Sequence, residues 1–254
     1  MSAIPRLGRG HARLGHVMDN ERDRWARLLV ASGPERAAQP LRICELCVDT
    51  LAVTGAGIAM VTAAGHRGVV CATDGVSARI EDLQLTLGEG PCVDAAAGGA
   101  PVLVPDLGDA ADIATERWPT FMEGAARAGV KAVFAFPLRV GAISVGVIDL
   151  YRDTPGDLSA DEFPAALMAA DAAALSLLYL DVDGENAFSE DRTARASYQM
   201  QVHQATGMVM AQVGVTIDQA FLLLRARAFA DGRPLAELAT DVVARRVRFS
   251  LEDE

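Results

Sequence analysis

From Leu41 onward, the apolar positions Ile43, Leu46, Cys47 and Leu51 recur at three- and four-residue spacing, which predicts a helix. The period then changes. Short β-prone runs follow at GIAMVT (57–62), GVVCAT (68–73), PVLVPDL (101–107), AVFAFPL (132–138) and ISVGVIDLYR (143–152), and Gly, Pro and Asp punctuate them. Helical patterns lie between, at 76–85, 92–97 and 113–128, and an alanine-rich helix spans about 160–180. The last two strands are joined by a tight turn at Arg139–Ala142, so the sheet is expected to contain antiparallel pairs rather than a strict βαβ repeat. Upstream, 1–19 reads as a loose tail without periodicity, and a helix is drawn around Asn20–Ala31.

After the polar stretch DVDGENAFSEDR (181–192) the pattern becomes purely helical. One helix runs over about 195–213, with Gly214 as its stop. The next starts at Thr216, where T-I-D-Q fits a capping box with Gln219 reaching back, and ends at about Ala230. The third starts near Pro234 and runs to about Arg248, with Leu235, Leu238, Ala239 and Val242 in one stripe. The expected organisation is an α+β domain over 20–183 whose sheet contains antiparallel pairs. A helical joint over 184–194, an all-α three-helix bundle over 195–249 and an acidic tail at 250–254 complete it.

Charge separates the same two regions. The chain carries −11 overall, which argues against a general binder of nucleic acid or anionic membrane. Residues 1–191 hold 15 Lys and Arg against 27 Asp and Glu, whereas 192–250 hold 8 Arg against 4 acids, a net of +4. An acidic body with a basic end suggests two modules with different partners. The N-terminus lacks a signal-like apolar segment, and the run Ala165–Leu180 is interrupted by Asp171 and shorter than a bilayer span, so a cytoplasmic protein without membrane contact is expected. The four cysteines do not form a dense framework, and reduced thiols follow. Cys44 and Cys47 share a helix face but lack a second CxxC pair, so no metal site is expected. Gly88-Glu89-Gly90-Pro91 lacks the residues of a phosphate loop and reads as a turn, and His66 reads as a solvated turn residue.

In HQATGMVMA (203–211), Gly207 sits mid-helix at a cost of roughly 1 kcal/mol relative to alanine. At 100° per residue, Tyr198, Val202, Ala205, Val209 and Gln212 fall on one side and read as core, with Met208 at the edge. Met200, His203, Gln204, Gly207 and Ala211 fall on the other side, a bare patch beside polar groups that another surface can approach closely. An RNA loop or a partner helix would suit it. Arg192, Arg195, Arg225, Arg227, Arg245 and Arg246 are candidate phosphate contacts or a solvated face. Phe221, Leu224, Ala220 and Ala228 read as core.

The segment from His203 to Val243 closely resembles the ANTAR domain, a three-helix RNA-binding module of bacterial transcription antiterminators. The resemblance rests on Ala205-Thr206-Gly207, Met210-Ala211, Ala220-Phe221 with Leu224-Arg225, and Leu235 with Leu238-Ala239. Thr206 stands where that family usually carries Lys, which removes a cation. The stretches LQLTLGEGPCVDAAAGGAPVLVPDL (83–107), RWPTFMEGAARAGVKAVFAFPLRVG (117–141) and GVIDLYRDTPGDLS (146–159) resemble GAF domains that precede ANTAR in many actinobacterial proteins, which implies an α+β fold with a central antiparallel sheet flanked by helices. The resemblances imply an RNA-binding antitermination regulator, with no cofactor and no catalytic residue. In it the GAF domain senses a small molecule or dimerises, and ANTAR binds paired RNA stem-loops of a nascent transcript as a homodimer. The RNA contacts implied are His203, Gln204, Ala205, Gly207, Ala211, Arg195 and Arg225, with Ala205 turned inward by the wheel. Two alternatives stand beside this. Cys92 sits in a Gly-x-Gly-x-Cys loop similar to that of GAF-fold free methionine sulfoxide reductases, but no resolving cysteine lies nearby in sequence. A protein-interaction module without RNA binding is the other; a phosphoacceptor receiver is disfavoured because the Asp149 strand belongs to a hairpin.

Overall fold

The computed structural model describes residues 39–62, 65–109, 116–182 and 190–250; the side chains of 61–67, 179–182 and 190–200 lie outside the description. The helix drawn around 20–31 and the two terminal tails also lie outside it, as does the side chain of His66. The order of elements is α1 (Gln39–Thr50), β1 (Gly55–Thr62), β2 (Gly65–Ala72), α2 (Gly75–Leu87), α3 (Pro91–Gly98), β3 (Val102–Val104), α4 (Pro119–Arg127), β4 (Ala132–Val140), β5 (Ile143–Arg152) and α5 (Glu162–Val182). Three more helices follow, α6 (Glu190–Val213), α7 (Ile217–Ala230) and α8 (Leu235–Val243).

The five strands form one sheet in the order β2-β1-β5-β4-β3, and each neighbouring pair is antiparallel. Its middle strand, β5, is buried on both faces over much of its length, which explains its nearly continuous apolar run. On one face Ile58, Cys71, Phe134, Phe136, Ile148 and Leu150 meet α1 and the alanine-rich α5. The small side chains of α5, Ala166, Ala169, Ala170 and Ala173 among them, let its backbone lie close to the sheet. On the other face α2, α3 and α4 pack around Phe121, Trp118, Val133, Ala59 and Ala135. A sandwich of helices around an antiparallel sheet is the α+β architecture that the patterning predicts.

Two differences from the pattern have local causes. The expected strand 101–107 pairs only over 102–104, because Asp106 folds its carboxylate onto the Gly108 amide at 2.7 Å and Gly156 N–H donates to Pro105 O at 2.8 Å. The helix drawn at 113–128 is broken among the described residues at Trp118, after helical Glu116 and Arg117, and α4 restarts at Pro119, where its first free amides, Thr120 and Phe121, donate to the Glu89 carboxylate at 3.0 and 2.9 Å. Glu89 belongs to the glycine-rich turn, so that turn positions a helix 30 residues downstream rather than a phosphate.

The three C-terminal helices bury Val202, Ala205, Val209, Ala220, Leu224, Ala228, Leu235, Leu238, Ala239 and Val242 together. The Thr216–Gln219 capping box forms as the sequence predicts, and Gly214 ends α6 at φ 77° with its N–H on Met210 O. The third helix stops at Val243, short of Arg248, because Arg245 takes φ 60° and the Arg246 and Val247 amides turn back onto Asp241 O.

The bundle touches the sheet domain through α2, and α6 also lies against β2. Leu85 of α2 is buried in the bundle's own core, and Arg225 of α7 donates its Nε–H to Thr86 O at 2.9 Å. Among the described residues, no single helix is long and apolar enough to cross a membrane.

Candidate functional site

The first site is the face of α6 away from the bundle core. His203, Gln204, Met210 and Ala211 are exposed and Gly207 is half-buried. A Cβ built on Gly207 would meet nothing within 4 Å, so the bare patch inferred from the wheel is open space. Ala205 points the other way and is fully buried among Val202, Val209 and the α7 and α8 core residues. Thr206 also leaves the open face: it is 4% exposed, and its hydroxyl donates to Val202 O at 2.7 Å, as a mid-helix threonine does when it bonds back one turn. Gln212, read as core on the wheel, is exposed and accepts the Phe249 amide at 2.8 Å, because the chain after α8 returns along α6. Arg195 lies on α6, with its side chain outside the described residues.

The basic residues of the bundle divide into two groups. Arg227 pairs with Asp231 at 3.0 Å and Arg246 with Asp241 at 2.7 Å, both in exposed pairs worth at most about 1 kcal/mol, which an incoming phosphate can replace. Arg225 is different. It is half-buried, stacks 5.8 Å from the Phe221 ring centroid, and spends its Nε–H on the last turn of α2. Burial lowers its pKa from the usual guanidinium value. Phe221, read as core, is only partly buried; Leu224, Ala220 and Ala228 are fully buried as expected.

The second site lies over the centre of the sheet. Asp149 on β5 is flanked by Gly57 on β1 and Ala135 on β4, the two smallest neighbours available to it. Glu81 descends from α2 onto the same place, where a Cβ on Gly57 would come within 2.5 Å of its Oε1. Cys92 reaches it from the first turn of α3. Gln84 ties the group together: its Nε2 donates to Asp149 Oδ2 at 2.9 Å, and its Oε1 accepts the Cys92 backbone N–H at 2.8 Å. Gly90 lets Gln84 fit, since a Cβ there would approach Gln84 Oε1 to 2.7 Å. Glu81, Gln84, Cys92 and Asp149 are all at least 97% buried.

Buried acids without water hold their protons. Burial raises the Glu81 carboxyl well above the carboxylate range, and the neighbouring Asp149 charge raises it further. Burial also pushes Asp149 up to about 6, against the opposing hydrogen bonds from Gln84, Glu81 and Cys92. Burial, then Asp149 and Glu81, push the Cys92 thiol up. Cys92 is therefore a protonated thiol rather than a nucleophile. Cys44, Cys47 and Cys71 belong to the core on the opposite face, where Cys44 and Cys71 lie 3.7 Å apart, and all four cysteines are free.

The sequence singled out Cys92 and Asp149 separately but did not join them to Glu81 and Gln84. A signal was present: an aspartate in the apolar strand ISVGVIDLYR, and an acid and an amide three apart on a helix, beside the apolar Ile80 and Leu85.

A GAF domain family model matches residues 40–177, more than half of the chain, and the ANTAR domain model matches residues 190–243. The chain belongs to the GAF domain family, and it carries an ANTAR region behind that domain. GAF is a sensory domain and ANTAR an RNA-binding antitermination domain, so their pairing is the architecture of a regulator. Among solved structures, the GAF domain of an Acinetobacter phosphoenolpyruvate-protein phosphotransferase is similar at 10% identity, covering 67% of this chain and 97% of that one, with a TM-score of 0.50; this shows the fold. A domain of a sensor histidine kinase protein from Sinorhizobium meliloti aligns at 21% identity, 57% and 92% coverage and a TM-score of 0.43. A type II free methionine-R-sulfoxide reductase from Thermoplasma acidophilum aligns at 14% identity, 57% and 92% coverage and a TM-score of 0.40. No curated protein matches the chain.

Proposed function

We propose that this chain is a transcription antitermination regulator of the actinobacterial type, in which the ANTAR bundle binds paired stem-loops of a nascent RNA and the GAF domain controls that binding. The observation that carries the reading is the open face of α6. His203, Gln204 and Ala211 surround Gly207, where nothing stands within 4 Å of a would-be Cβ. A helix surface this bare admits an RNA loop whose unstacked bases lie close to the backbone, with polar side chains at its margin to read base edges. Arg227, Arg245, Arg246 and Arg248 supply exposed positive charge in the same module. A net charge of +4 is modest, so affinity is expected to depend on loop fit and on two copies of the chain engaging two hairpins together.

Helix α2 offers a route for control. Glu81 and Gln84 face the buried cluster, while Leu85 and Thr86, one turn on, hold the bundle. A ligand that shifts α2 alters both ends, and differential affinity for the two arrangements is all that regulation requires. The thiol-enzyme alternative is not favoured, because Cys92 is fully buried and protonated and the other three cysteines lie across the sheet. Ala205, inside the bundle, shapes α6 rather than touching RNA on this reading.

A gel-shift titration with RNA carrying two adjacent hairpins tests the proposal. The wild-type chain is expected to bind, and Gly207→Glu to lose at least tenfold in affinity while keeping its circular dichroism spectrum. Equal binding by the two would remove this face as the RNA site.

A further inference from the structure

We propose that Glu81, Cys92 and Asp149 form a binding site for one thiophilic divalent cation of the zinc class, buried between α2, α3 and the sheet. The inference deepens the sensor reading by naming the chemistry of its ligand, and it rests on that reading only for its regulatory meaning.

Three observations carry it. First, one ligand atom from each residue lies within 4.8 Å of the other two. Around a tetrahedral zinc, with bonds of about 2.0–2.3 Å, ligand atoms stand roughly 3.5 Å apart, so closure needs shifts on the order of 1 Å. Second, two oxygens of the group, Glu81 Oε2 and Asp149 Oδ1, are buried with no hydrogen-bond partner outside the cluster, on residues that are 1% and 3% exposed; only the protons of Glu81 and Cys92 link them, and those are the protons a cation would replace. Buried carboxylate oxygens in native proteins find partners, and a cation between them would satisfy both. Third, the surroundings already orient the ligands. Gln84 fixes Asp149 through Oδ2, leaving Oδ1 free, and grips Cys92 by its backbone amide. Gly57 and Gly90 leave the room in which Glu81 and Gln84 sit. Outer partners of this kind hold metal ligands in place.

The donor set selects the class of ion. A sulfur with two carboxylates suits zinc and its borderline neighbours, whereas calcium and magnesium take six or more oxygen ligands and avoid thiolate. Three protein donors leave a fourth position for water or a small ligand. On binding, the protons on Glu81 and Cys92 leave to solvent, the thiolate and both carboxylates bond the metal, and no oxidation occurs.

Cobalt(II) is the probe, because a Co–thiolate bond gives an intense near-ultraviolet absorption. Titrated into the purified full chain, it is expected to produce that band, to saturate at one ion per chain, and to be displaced by zinc. Cys92→Ser should abolish the band, while Cys71→Ser, across the sheet, should keep it. Glu81→Gln and Asp149→Asn, which preserve shape, should each weaken binding at least tenfold. A wild-type chain without the band overturns the proposal, as does a band that survives in Cys92→Ser or full affinity in both carboxamide variants. None of these readouts involves RNA. Loss of RNA binding with intact cobalt binding would count against the regulator reading alone, and the reverse against the metal site alone.

Discussion

Replacing Arg225 by Met isolates one polar contact through which the two domains meet, beside the buried Leu85 and the packing of α6 against β2. Methionine keeps the length and apolar stem of the side chain and removes its charge and its donors. The structure gives Arg225 one hydrogen bond to the other domain, Nε–H to Thr86 O at 2.9 Å, at the C-terminal turn of α2 where helix carbonyls carry partial negative charge. A charged donor on a backbone carbonyl contributes about 1.5–3 kcal/mol net. Burial of the guanidinium, visible in its lowered pKa, offsets part of this. About 1–2 kcal/mol should therefore be lost, which is roughly a five- to thirtyfold shift from docked to undocked bundle. Gly88→Ala should act in the same direction from the other side, because a Cβ at Gly88 would overlap the Arg225 guanidinium and the residue sits at φ 66°. Amide hydrogen exchange reads the outcome. Peptides covering the end of α2 (84–90) and α7 should exchange faster in Arg225→Met, while those of β4 and β5 should not change. Unchanged exchange at the end of α2 would refute the docking argument. Direct phosphate contact by Arg225 has a separate signature: weaker RNA binding with a salt slope lower by about one, and no effect on exchange.

Gly57→Ala should place a methyl group against the Glu81 carboxyl and cost about 1–3 kcal/mol in urea unfolding, with cobalt binding lost in the same variant. Glu162 gives the sheet domain an acid limit. Burial raises its pKa, but the Ser159 and Ala52 amides, the Ser159 hydroxyl and Arg152 outweigh burial and hold it at about 2. Because the folded value lies below the unfolded one of 4.5, this stabilisation is complete above about pH 4.5 and fades as pH falls toward 2. Glu162→Gln, which also leaves Arg152 without its 2.9 Å partner, should lose about 1–3 kcal/mol at pH 7 and show less acid sensitivity in that window; an unchanged acid profile would contradict the assignment. Thr216→Ala removes the cap from α7 and should cost about 1 kcal/mol, seen as a drop in the melting temperature of the bundle with the capping-box partner Gln219 left in place.

Much of the local architecture was determined by sequence alone. The alternation and turn residues of 132–152 specify the β4–β5 hairpin, the T-I-D-Q box starts α7 where it forms, and Gly214 ends α6. The helical wheel separated Gly207, His203 and Gln204 from Val202, Ala205 and Val209, because a 3.6-residue period assigns faces without reference to any other part of the chain. Only the tertiary structure decided what each face meets. Gln212 left the core because the chain end at Phe249 came back to it, an encounter 37 residues apart in sequence. Arg225, expected from the sequence as an RNA contact, meets α2 because the bundle docks there. Glu81, Cys92 and Asp149 came together across 68 residues because two helices and a central strand converge over Gly57, where the absence of a side chain leaves them space. Local periodicity records which residues are hidden; which hidden polar groups share one place depends on long-range packing, and that carries no signature in a linear pattern.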